Sequence, residues 1–127
     1  MARISRRQFE AWIAAAVTAL PKKFRDRLDN VALVLEDDAP SRRYLGLYRG
    51  VPHPYRGPSY SGVLPDKITI YAKAMVREAK NSRELPGLVR RVVWHEVGHH
   101  FGLTDRELEQ LDRRWKSRWQ KSRQRKT

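Results

Sequence analysis

Residues 95–99 read His-Glu-Val-Gly-His, and this spacing restricts the fold more tightly than any other stretch of the chain. On an α-helix, residues four apart lie one turn above each other on the same face. His95 and His99 therefore aim both imidazoles at a single point. Neutral imidazoles are good ligands for zinc, which prefers four-coordinate sites and keeps one position for water where it is catalytic. Glu96 leaves the helix at a different angle, unsuited to ligation but placed to take a proton from that water. The bland alternative is a pair of histidines on a buried helix face with no metal.

Two histidines alone hold a metal poorly, so a third protein ligand is required. Gly102 follows His99 by three residues and Asp105 follows by six. The chain can turn at the glycine and return a carboxylate to the same ion. Glu107, Glu109 and His53 are the other candidates. Asp105 has a second use, because Thr104-Asp105-Arg106-Glu107 is also a capping box, and an acid suits the first turn of a helix. The two uses are compatible. His100 points about a hundred degrees away from His99 and is expected behind the ligands or on the surface, while Trp94 and Phe101 are expected in the core.

The rest of the chain reads as a series of short elements. Ser5 can cap a first helix running to about Leu20, where Pro21 stops it. Phe9, Trp12, Ile13, Ala16, Val17 and Leu20 give that helix an apolar stripe, expected to pack on a sheet. Phe24 and Leu28 continue a packing face as a short turn of helix. The apolar run from Val31 to Glu36 predicts a buried strand, and residues 43–49 predict a second. Residues 50–65 contain four prolines and three glycines, the composition of a long and therefore often functional loop. Lys67, Ile68, Thr69, Ile70 and Tyr71 alternate polar and apolar, as a half-buried or edge strand does. Ser82 begins a capping signature, and Pro86 suits the first turn of the long helix that carries the histidines and ends at Gly102. A last helix starts at Thr104 or Asp105, with Leu108, Leu111, Trp115 and Trp119 on one face. This order predicts an α+β domain in which a short mixed sheet packs against an N-terminal, an active-site and a C-terminal helix.

At 127 residues the chain makes one domain, with a basic helical extension at about residues 113–127. From Arg113 to Lys126 it holds eight basic residues and no acidic one, and the whole chain carries a net charge of +13. That charge suits an acidic or nucleic-acid partner; the alternative is a solvated helix face, and no nucleic-acid motif accompanies it. Cysteine is absent, which excludes disulfides and thiolate catalysis and fits a reducing compartment. Arg3, Arg6 and Arg7 precede an apolar run that mimics a short signal peptide. Glu10 and the helical spacing favour an amphipathic helix instead, and the run is too short to span a bilayer. A cytoplasmic, soluble protein without a membrane partner is expected.

The motif and its surroundings resemble the compact bacterial zincin-like metallopeptidases, whose signature is His-Glu-x-x-His-x-x-Gly-x-x-Asp. Residues 60–71, reading YSGVLPDKITIY, look like that family's segment before the helix, and Val89 to Leu103, with the core VVWHEVGHHFGLTD, looks like its active-site helix. The likeness extends over roughly residues 8–112, leaving the Arg/Trp-rich tail without a counterpart. The resemblance implies a minimal zincin fold and one zinc ion held by His95, His99 and Asp105, with Glu96 catalytic. It further implies that Lys67 to Tyr71 form an edge to which extended substrate adds as a strand. The resulting expectation is a zinc metallopeptidase-like hydrolase acting on a peptide or small protein, with Glu96 as general base. The competing class is a basic interaction or nucleic-acid-associated module whose metal site is structural or vestigial.

Overall fold

Ser5 starts the first helix in the computed structural model, its Oγ accepting the Gln8 N–H at 3.1 Å. The model describes residues 4–56, 65–104, 106–110 and 113. Helix α1, Arg6–Thr18, buries Phe9, Ile13 and Ala16, three positions of the stripe visible in the sequence. Pro21 cannot continue the ladder and instead caps a one-turn helix, α2, Lys22–Arg25. Asn30 takes a φ of 51°, a left-handed conformation that Asn tolerates, and the chain enters β1, Val31–Glu36. Then follow β2, Gly46–Arg49; a 3-10 turn, His53–Tyr55; β3, Asp66–Tyr71; α3, Ala72–Glu78; a second 3-10 turn, Ser82–Glu84; and α4, Leu85–His100. Residues 106–110 are again helical.

The three strands form one mixed sheet in the order β1-β3-β2. β3 runs parallel to β1, from Val31 opposite Asp66 to Glu36 opposite Tyr71, and antiparallel to β2, from Gly46 opposite Ile70 to Arg49 opposite Lys67. The short mixed sheet of the sequence reading is therefore present, but β3 is its central strand. That corrects the assignment of Lys67, Ile68, Thr69, Ile70 and Tyr71 as a substrate-binding edge. The main-chain groups an added strand would need are already paired on both sides. Polar–apolar alternation marks a strand with one wet face, yet Thr69 and Tyr71 are buried together with Ile68 and Ile70. Helix α3, directly after β3, has no counterpart in the sequence reading.

Helix α4 is the element on which the others converge. Leu85, Val89, Val93 and Val97, four residues apart, are all buried, so one continuous face of the helix lies in the core. Asn81 Oδ1 accepts the Arg83 N–H and Glu84 Oε2 accepts the Lys80 N–H just ahead of it. Asn81 thus caps the 3-10 turn Ser82–Glu84, one position before the Ser82 favoured by the sequence, and α4 itself starts from Glu84 without a side-chain cap. Helix α1 packs chiefly on α4 and only lightly on β1, which corrects the expectation that its stripe meets the sheet. Trp94 fixes this contact, its Nε1–H donating to the Ala16 carbonyl at 2.8 Å across a buried interface. Trp94→Phe removes that donor, and we expect a loss of about 1–2 kcal/mol. Urea denaturation checks it, with a lower midpoint at unchanged slope.

Candidate metal centre

His95, Glu96 and His99 each offer one ligand atom, and these atoms lie within 4.8 Å of one another. The two imidazoles are edge to face with ring centroids 4.9 Å apart, as their one-turn spacing on α4 dictates. Glu96 is buried and the two histidines half-buried. Burial pushes the Glu96 carboxyl above its ordinary pKa, against the opposing pull of His95 and a hydrogen bond from the Tyr48 backbone. A carboxyl moved toward neutrality can both accept a proton and return it.

These side chains line a cleft of about 570 Å³ whose opposite wall is residues 43–48, leading into and along β2. The Tyr71 N–H donates to the Leu45 carbonyl at 3.0 Å, so the main-chain groups of Leu45 and, in register, Leu47 face β3. Strand alternation then turns those of Gly46 and Tyr48 outward, into the cleft. Among the described residues, β2 is an edge of the sheet. Gly46 lets the strand come this close to α4: a Cβ there would stand 2.8 Å from Val92 Cγ1 and 3.2 Å from the Thr69 carbonyl. An isolated glycine in an aromatic and apolar strand is the sequence signal for such an approach, and it marks β2, which the sequence reading left without a role.

A family model described as Zincin-like metallopeptidase matches residues 25–115. The chain belongs to this family. No curated protein matches it. The zincin family implies a metal ion, typically zinc, and the donors fit one: two imidazoles on one helix face beside a carboxylate. Glu107 and Glu109 stand outside the cluster among the described residues. Glu107 is instead occupied with Thr104, accepting its N–H at 3.1 Å while the Thr104 Oγ1 accepts the Glu107 N–H at 3.1 Å, the capping box anticipated from sequence. Asp105 and the His53 side chain lie outside the described residues.

The end of the zincin helix is shaped by backbone chemistry. Gly102 and Leu103 donate to the carbonyls of His99 and Gly98, a Schellman arrangement with Gly102 at φ 77°. Gly98, inside the motif, leaves a notch filled by Leu108, whose Cδ2 would lie 2.0 Å from a Cβ added there. The residues on either side of position 105 are thus drawn back onto α4.

Of the two places expected for His100, behind the ligands or on the surface, the structure gives the first, and the partner it meets there, Asp66, was not legible beforehand. His100 is fully buried, and its Nδ1 lies 2.9 Å from Asp66 Oδ2. The same carboxylate, also buried, accepts the Tyr48 hydroxyl, the Val51 N–H at 3.1 Å and Arg56 Nη2 at 3.0 Å. Burial alone would raise the Asp66 pKa, but the bonds from Tyr48, His100, Val51 and Arg56 together outweigh it and hold the carboxyl below its ordinary value. Asp66→Asn replaces an acceptor with a donor among these groups and is expected to cost about 3 kcal/mol at pH 7. Because the folded pKa lies below the reference 3.8, this contribution is complete above that value and disappears as pH falls through the folded pKa. Urea denaturation at pH 7 and at pH 3 should show the gap between wild type and variant narrowing in acid; a gap that widens contradicts the assignment.

Proposed function

We propose that the protein is a zinc-dependent peptidase that takes an extended segment of a peptide or small protein along the cleft edge of β2. The observation that carries this reading is the juxtaposition of that edge with His95, Glu96 and His99 across one cleft. The outward main-chain groups of Gly46 and the Tyr48 carbonyl would pair with the substrate backbone, giving affinity without dependence on its side chains, while the Tyr48 N–H is held by Glu96. His95 and His99, with Asp105 as third ligand, would hold one zinc ion. Bound zinc supplies a Lewis acid that polarises a carbonyl and makes water more acidic. Glu96 takes the proton from the attacking water and returns it to the departing amine. Its hydrogen bond to the Tyr48 backbone keeps the carboxylate on the cleft side of the helix.

His95→Ala and Asp105→Ala are expected to lose the zinc that elemental analysis finds in the wild-type protein. Glu96→Gln should keep its zinc and lose about 10²-fold or more in hydrolysis of a peptide library. Full activity in Glu96→Gln would overturn this mechanism and favour a metal site of structural role.

The basic residues from Arg113 to Lys126 support a second reading beside the first, an acidic or nucleic-acid partner; all of them except Arg113 lie outside the described residues. Affinity for DNA or RNA should then fall steeply with salt and drop on removal of residues 113–127. Equal affinity with and without those residues would sink this idea. Among the described residues no helix is long and apolar enough to cross a membrane.

A further inference from the structure

The cleft is chemically unequal along its length. β2 passes Val92 at Gly46 and meets Glu96 at Tyr48, so strand and helix run in the same sense. The residues before Gly46 therefore lie toward the N-terminal part of α4. There the cleft is lined by Arg43 from the strand side and Arg91 from the helix side. Arg91 precedes His95 by four residues, which puts it one turn up the same helix face, about 6 Å along the axis.

Both guanidinium groups belong to exposed residues, and neither has a carboxylate partner among the described residues. Other cations do: Arg6 pairs with Glu10, Lys67 with Glu36 and Lys73 with Asp38. Glu96 is the one carboxylate among the described residues of the lining, and five residues beyond Arg91 it sits on another side of the helix. Two arginines lining one cleft from its strand side and its helix side, neither paired with a carboxylate among the described residues, suit a bound carboxylate. The planar fork of each guanidinium matches carboxylate geometry and can engage it through paired N–H donors.

We propose that Arg43 and Arg91 form a carboxylate-binding subsite, and that the peptides accepted here carry an acidic group on that side of the bond to be cleaved. An extended chain advances about 3.3 Å per residue, so the acidic group falls within about three residues of that bond. The carboxylate comes from an Asp or Glu side chain or from the C-terminus of the peptide. The inference rests on the cleft being the peptide site.

The test uses the full chain with zinc and the Glu96→Gln substitution, so that peptides bind without being consumed. The probes are peptides of one length in which a single Glu is moved along a neutral sequence. Each is compared with its Gln counterpart, with a free or an amidated C-terminus, by calorimetry. We expect the best-placed acidic peptide to bind about tenfold more tightly than its neutral counterpart. Adding Arg43→Gln and Arg91→Gln should remove that preference at unchanged zinc content, whereas Lys80→Gln, which lowers net charge outside the cleft, should keep it. A preference that depends on the Glu position identifies a side chain; one that vanishes on amidation identifies the C-terminus. Peptides that bind with no acidic preference, or a preference that survives both arginine substitutions, overturn the subsite alone. If no peptide binds at all, the peptidase reading falls and the subsite with it.

Discussion

A carboxylate buried away from water is stable only when its lone pairs are taken up by donors. Asp66 meets this condition with groups from four places: Tyr48 on β2, Val51 and Arg56 beyond it, and His100 at the end of α4. Asp66 itself opens the central strand. The result is a rigid joint between the sheet and the last turn of the helix, one residue from His99. The orientation of the helix face bearing His95 and His99 and the position of the strand opposite it are thus tied to the same side chain. Arg56 extends the joint outward, through Asp29, to the start of β1.

The joint explains why part of the molecule was legible from its sequence and part was not. The histidine spacing, the glycine at the end of α4 and the Thr104–Glu107 cap are local patterns, each contained within a turn or two of chain, and local geometry fixes what they do. The role of Asp66 depends on Tyr48 and His100, distant in sequence, and no periodicity announces it. His100 in particular looks like the surplus member of a histidine pair until its buried partner is known. The strand order was hidden for a related reason. Alternation reports how wet a strand's faces are, not which neighbours lie at its sides, and β3 gains both neighbours from segments far from it in sequence. With β3 in the centre, β1 and β2 are the sheet's edges among the described residues, and β2 is the one that lines the cleft, with Gly46 as the gap in its apolar run.

Chemically, the candidate centre sets a helix carrying His95, Glu96 and His99 against the edge strand β2. Glu96 belongs to both, standing on the helix but hydrogen-bonded to the strand. Membership of the zincin-like metallopeptidase family accounts for the helix. Arg43 and Arg91, which have no carboxylate partner among the described residues, line the cleft where the strand approaches that helix.

Gly98 and Gly46 divide the site into two parts with different dependence on the chain. Gly98 receives Leu108 from only ten residues away, whereas Gly46 meets Val92 across forty-six. Closing the longer loop costs about 1.4 kcal/mol more in chain entropy, and it requires the sheet to be in place. The hairpin-like return after the helix needs little beyond its own turn. The histidine-bearing helix end and the cleft wall opposite it are therefore built on separate topological scales, one nearly local and the other assembled only with the whole domain.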